Sequence, residues 1–86
     1  MAINYANLRN VTAREVIAAL IREGFYLRSY GGSSHQRFQH PDGRRVTVSF
    51  HKSGGTFPPK TLKDMLERQA KWTEADLIRL GLLKAL

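Results

Sequence analysis

The chain has 86 residues, no cysteine, and 14 Lys and Arg against 7 Asp and Glu, a formal charge of +7. A chain this short buries only about 60–65% of the surface it exposes when unfolded, which supports a single domain over residues 1–86 and excludes a deep cofactor pocket, though not chemistry on a substrate laid across an open face. The missing cysteines exclude a disulfide framework and cysteine-based metal sites, and the positive balance points to a polyanionic partner: nucleic acid first, an acidic protein second, an anionic membrane surface third.

The first eleven residues carry Asn4, Asn7, Arg9 and Asn10 where a signal peptide needs an apolar core. No stretch approaches the roughly 20 apolar residues of a membrane span. With no disulfides to suggest an oxidising compartment, the expectation is a soluble cytoplasmic protein without membrane association.

Thr12-Ala13-Arg14-Glu15 is a capping box, with Val11 and Val16 at the flanking staple positions. Val16, Ile17, Leu20 and Ile21 form one helical stripe, and Gly24 suits a left-handed cap. These signals predict a helix from Ala13 to Glu23. Phe25–Tyr30 reads as a strand and Gly31-Gly32-Ser33 as its break. Ser34–His40 and Arg45–Phe50 read as two further strands joined by the turn Pro41-Asp42-Gly43. A loop rich in Gly and Ser covers His51–Pro58. Pro59 suits the first position of a helix whose stripe is Leu62, Met65, Leu66 and Gln69. Thr73 and Asp76 form a second capping signature, with Trp72 and Leu77 at the staple positions. The class is α+β, in the order α-β-β-β-α with an added C-terminal helix.

The hairpin has one register that satisfies its pattern. If Pro41-Asp42-Gly43 is a type I turn followed by a glycine bulge, His40 faces Arg44, Phe38 faces Val46, and Gln36 faces Val48. The apolar residues then share the face under the helices, whereas a slip of one residue would invert every side chain. The opposite face carries His35, Arg37, Gln39, Arg45, Thr47 and Ser49, with His35 opposite Ser49. One step further along the third strand, His51 falls diagonal to His35, about 7–8 Å away.

Such a face has the parts for metal-free RNA cleavage. Histidine can take the 2′-hydroxyl proton or protonate the departing 5′-oxygen, because its ordinary pKa of about 6.5 lies near working pH. Arginine can stabilise charge on the phosphoryl oxygens. His35 and His51 are the candidate catalytic residues. Arg37, Arg44, Arg45, Lys52, Lys60 and Lys63 are the candidate RNA contacts. Seven basic residues lie between Arg28 and Lys63 against the single acid Asp42, so +6 of the +7 sits in that segment. Each feature has a plainer reading: a solvated strand histidine, a solubilising basic surface, and a hydrogen-bonding turn role for His40. No metal-ligand spacing or phosphate-cradling glycine motif is present, so no metal and no cofactor are expected.

The segment Gly32-Ser33-Ser34-His35-Gln36-Arg37-Phe38-Gln39-His40-Pro41-Asp42-Gly43-Arg44 resembles the central signature of the HicA (YcfA-like) mRNA interferase toxins. That signature is a glycine-serine-histidine turn, an aromatic, then a histidine-proline hairpin tip. The likeness continues through Val46-Thr47-Val48-Ser49-Phe50-His51 and Pro59-Lys60-Thr61-Leu62-Lys63-Asp64-Met65-Leu66, and covers residues 12 to 83. It departs at Ser33, where the family usually carries Gly. The resemblance implies a double-stranded-RNA-binding-domain-like fold and a toxin that cleaves mRNA and is held inactive by a HicB-type antitoxin. It maps the family's catalytic histidine onto His35 and a second common histidine onto His51. Two alternatives are a non-catalytic double-stranded-RNA-binding module, which reads A-form shape through phosphates and 2′-hydroxyls, and a purely protein-binding role for the basic face.

Overall fold

The computed structural model describes residues 3–8, 10–31, 35–50, 52 and 54–83. After a single 3₁₀ turn at Tyr5–Leu8 come α1 (Ala13–Arg22), β1 (Tyr26–Gly31), β2 (His35–Gln39), β3 (Arg45–Ser49), α2 (Pro59–Lys63) and α3 (Glu74–Arg79). The three strands form one antiparallel sheet in the order β1-β2-β3. The architecture is α+β, with helices on one side of the sheet, in the α-β-β-β-α order and with the added C-terminal helix.

Each helix begins and ends where its sequence provides for the loose backbone groups. Thr12 and Glu15 form the reciprocal cap of α1, and Thr73 and Asp76 that of α3. α1 stops at Gly24, which adopts φ +94°. There Phe25 N–H donates to Leu20 O at 3.0 Å and Gly24 N–H to Ile21 O at 3.1 Å. This is the Schellman arrangement, and its two hydrophobic partners, Leu20 and Phe25, are both buried.

α2 starts at Pro59, whose missing N–H costs nothing at that position. The coil then widens into a π-helical turn over Asp64–Gln69, closed by Ala70 N–H donating to Met65 O at 2.9 Å. The chain leaves it through Lys71 at φ +58°. The widening turns Gln69 toward the sheet. Thr47 N–H, on the outer edge of β3, donates to Gln69 Oε1 at 2.8 Å, and Gln69 Nε2 donates to Asp64 Oδ2 at 2.5 Å. An edge donor is thereby covered.

The core lies between the helices and the inner sheet face. Phe38, Val46 and Val48 supply the strand side, and Val16, Leu20, Leu62 and Leu66 the helix side, all buried. The added helix is tied to α1. Arg22 Nη2 donates to Leu80 O at 2.7 Å, and Arg79 forks onto Glu23 at 2.8 and 2.6 Å. The Arg79 hydrogen bonds hold the Glu23 carboxyl below the usual carboxylate range. Near the start of the chain, Tyr5 donates its hydroxyl to Glu67. Burial first, and Glu67 second, push its phenol well above the ordinary value. Among the described residues no helix is long and apolar enough to cross a membrane.

Candidate active site

The hairpin register decides which side chains reach the open face. β2 and β3 pair His35 with Ser49, Arg37 with Thr47, Phe38 with Val46 and Gln39 with Arg45. His40 N–H donates to Arg44 O at 2.9 Å, and Gly43 N–H to His40 O at 2.9 Å. Gly43 takes φ +99°, as a glycine bulge after a three-residue loop requires. This is the register read from the sequence. On β2, Phe38 is buried while His35 and Arg37 are exposed; on β3, Val46 and Val48 are buried while Arg45 and Ser49 are exposed.

At one end of this face, His35 Nδ1 lies 2.6 Å from Ser49 Oγ. The two residues are direct cross-strand partners, so the contact follows from the register and fixes the imidazole plane against the sheet. β1 joins from the other side, with Ser29 opposite Arg37 and Gly31 opposite His35. Its ladder slips at Arg28, which is the extra residue of a bulge between Leu27 and Ser29. Arg37 and Arg45 are both exposed on the face. The described part of the face therefore brings together the oriented His35 imidazole, the Ser49 hydroxyl and the Arg37 and Arg45 guanidinium groups. His51, the second candidate histidine, lies outside the described residues, as do Gly32, Ser33 and Ser34.

Arg44 is differently placed. Its Nη1 donates to Ala70 O at 2.6 Å and its Nε to Asp42 Oδ2 at 2.8 Å. Its guanidinium carbon sits 5.0 Å from the centre of the Phe25 ring, a cation–π distance. The side chain is turned inward and joins the hairpin tip to the end of the π-helical turn. Asp42 also accepts Arg44 N–H at 3.0 Å, and that backbone bond, followed by the side-chain pair, lowers its carboxyl pKa. Lys52 is exposed in the loop after β3. Lys60 and Lys63 are exposed on α2, where they line a shallow depression with Asp64 and Arg68. Arg68 was not among the residues singled out from the sequence. Its spacing from Asp64 and Lys60, at successive steps of four, is the signal that places it on their side of the helix.

Beside Ser49 the loop after β3 and the start of α2 enclose a groove of about 670 Å³. The loop is pinned to α1. Ala13 N–H donates to Gly55 O at 2.9 Å, and Gly55 N–H to Lys52 O at 2.9 Å. Thr12 and Thr56 form an isolated antiparallel bridge. A side chain at Gly55 would place its Cβ 3.0 Å from Lys52 O, so one would fit only if that carbonyl gave way by a few tenths of an ångström. No group of three or more metal-ligating side chains clusters among the described residues.

The family model described as the HicA toxin of bacterial toxin-antitoxin matches residues 13–72 of this chain. The match runs from α1 through the whole sheet to the end of the π-helical turn and stops before α3. No curated protein matches the chain closely.

Proposed function

Because the chain belongs to the HicA toxin family of bacterial toxin-antitoxin systems, we propose that it is an endoribonuclease that cuts mRNA without a metal, using His35 on the open sheet face. As a toxin of such a system it has an antitoxin as partner; we assign that partner to the HicB type.

The observation that carries the reading is the His35–Ser49 contact. Ser49 occupies Nδ1, so Nε2 is the nitrogen left for proton transfer. In the neutral ring that acts as a base, Nδ1–H donates to Ser49 Oγ and Nε2 holds a lone pair. In the imidazolium that acts as an acid, the same Nδ1–H bond persists and Nε2–H is the proton given away. One hydrogen bond thus orients both working forms.

The RNA 2′-oxygen attacks the adjacent phosphorus while its proton passes to a base, and the P–O5′ bond breaks as O5′ takes a proton from an acid. The products are a 2′,3′-cyclic phosphate and a 5′-hydroxyl. His35 supplies one of the two proton transfers, and His51 is the proposed second group. Arg37 stands two positions along the same strand face from His35, about 7 Å away, in reach of phosphoryl oxygens that gain charge during the attack. Arg45, Lys52, Lys60 and Lys63 are proposed contacts along the RNA backbone. Arg44 was a sequence candidate for the same role, but its guanidinium is committed to Ala70, Asp42 and Phe25. We assign it to holding the hairpin. A basic open face is also a docking site for an acidic antitoxin segment, and a partner seated there would exclude RNA.

The test is incubation of the purified protein with labelled mRNA in the presence of EDTA, beside a His35→Ala variant shown to be equally folded. Cleavage by the first, ending in cyclic phosphate and lost in the second, is the expected result. Salt-sensitive RNA binding with no cleavage by either protein would favour the non-catalytic binding module instead.

A further inference from the structure

The groove beside Ser49 is not used by the proton transfers, yet it opens at the residue that orients His35. Along the groove, the half-buried Phe50 presents aromatic surface, Phe57 is buried behind it, Thr56 and Thr61 carry hydroxyls, and Lys52 is exposed. Its volume lies within the range of small-molecule sites. On one side Gly55 accepts Ala13 N–H from the start of α1 and donates to Lys52 O, and on the other lies the start of α2 at Pro58 and Thr61.

From these observations, and resting on the ribonuclease reading above, we infer that the groove is a nucleobase subsite. It takes one unstacked base of single-stranded RNA next to the phosphate at His35. An aromatic surface binds a base through its π-face, and nearby hydroxyls and main-chain groups reach its polar edge. Lys52 meets a backbone phosphate at the rim. A base held in a duplex cannot enter such a groove, so the subsite selects unpaired RNA at the cut. Phe50 governs affinity, because its half-buried ring packs against the core edge and also lines the groove. Thr61 governs which base is preferred.

The test uses the full chain carrying His35→Ala and reads binding, so that it does not depend on cleavage. The ligand is a single-stranded RNA hexamer, compared with versions that carry one abasic nucleotide at each position in turn. The expected result is that the NMR signals of Phe50, Phe57 and Thr61 shift on binding, and that one abasic position weakens binding by about 10- to 100-fold. Adding Phe50→Leu, which keeps apolar volume but removes the ring, weakens the intact hexamer to the same level and abolishes sensitivity to the abasic position. Thr61→Val leaves the core untouched and shifts the preferred base, which keeps the inference testable should the Phe50 variant fold poorly. If the hexamer binds in a salt-dependent manner yet tolerates an abasic nucleotide everywhere, and neither variant changes binding, recognition is by backbone alone and the subsite is overturned while the RNA reading stands. If no hexamer binds even at low salt, both readings fall.

Discussion

His35 and His40 sit at opposite ends of one strand segment and have opposite fates. His40 is on the inner side of the hairpin. Its Nε2 lies 2.9 Å from Glu23 O, its Nδ1 lies 3.1 Å from Asp42 N, and its ring packs edge-on against Phe25 at 5.0 Å. With Nε2–H donated to the carbonyl, the neutral ring accepts Asp42 N–H at Nδ1. A protonated ring would turn the same nitrogen to Asp42 Oδ1, 3.0 Å away. Even Gly24 leaves room for it, since a Cβ there would stand 3.2 Å from His40 Nε2. His35 is on the outer side, exposed, and held by Ser49. The two positions are an odd step of five apart in a segment whose side chains alternate, so one imidazole is built into the frame and the other is presented to solvent. Residue type alone does not assign a role; register does.

The largest effect expected is on the chemistry. His35→Ala should lower RNA cleavage by about 10²–10⁴-fold, the usual worth of a general acid or base, while its unfolding free energy stays within about 0.5 kcal/mol of the parent. His40→Ala should do the reverse. Losing two hydrogen bonds and a ring contact should cost about 2 kcal/mol of stability and leave the cleavage rate of the folded fraction close to that of the parent. Urea denaturation together with single-turnover cleavage checks both. Equal rate losses in the two variants would remove the distinction between frame and site.

The arginines sharpen the same contrast. Arg44→Ala should destabilise by about 2 kcal/mol through its lost carbonyl bond, ion pair and ring contact, with the salt dependence of RNA binding unchanged. Arg37→Ala and Arg45→Ala should leave stability nearly unaltered. Each should lower the slope of log affinity against log salt by about 1 if it meets a phosphate. A smaller effect is expected at Ser49→Ala, which frees the imidazole to rotate. It should slow cleavage by about 3- to 10-fold, in line with the net worth of one hydrogen bond, and Ser49→Thr should recover part of the loss.

Much of this is legible in the sequence, because its causes are local. The caps of α1 and α3 lie within four consecutive residues each. The hairpin register follows from one turn and the alternation of Phe38, Val46 and Val48, and that register alone puts His35 across from Ser49. What could not be read depends on distant partners. Arg44 looks like any basic residue beside a turn. Its inward commitment comes from the Ala70 carbonyl, 26 positions along the chain, and from Phe25. The π-helical widening that sends Gln69 to the edge of β3 has no signal in a stripe of Leu62, Met65 and Leu66, which fits an ordinary helix equally well. The groove needs Thr12 to meet Thr56, a pairing of two polar residues that periodicity does not reveal.

The smallest effect tests whether the hairpin tip is held electrostatically. Asp42 carries a lowered pKa because it accepts the Arg44 backbone N–H and pairs with the Arg44 side chain. A carboxyl whose folded pKa lies below its unfolded value stabilises the fold fully above that unfolded value, about 3.9 for aspartate. That contribution is lost as pH falls through the folded value. The tip should therefore loosen below about pH 4 while the sheet near His35 and Ser49, which owes nothing to this carboxyl, keeps its hydrogen bonds longer. Amide exchange between pH 5 and pH 3 should show Arg44 and Gly43 losing protection before Thr47 and Val48. In Asp42→Asn, which retains an acceptor for the backbone N–H but carries no charge, the pH dependence at the tip should flatten. If both ends of the sheet lost protection together in the parent and in the variant, acid would be acting on the whole fold, through Glu23 and Asp76 at the α1–α3 contact, and the tip would have no separate electrostatic lock.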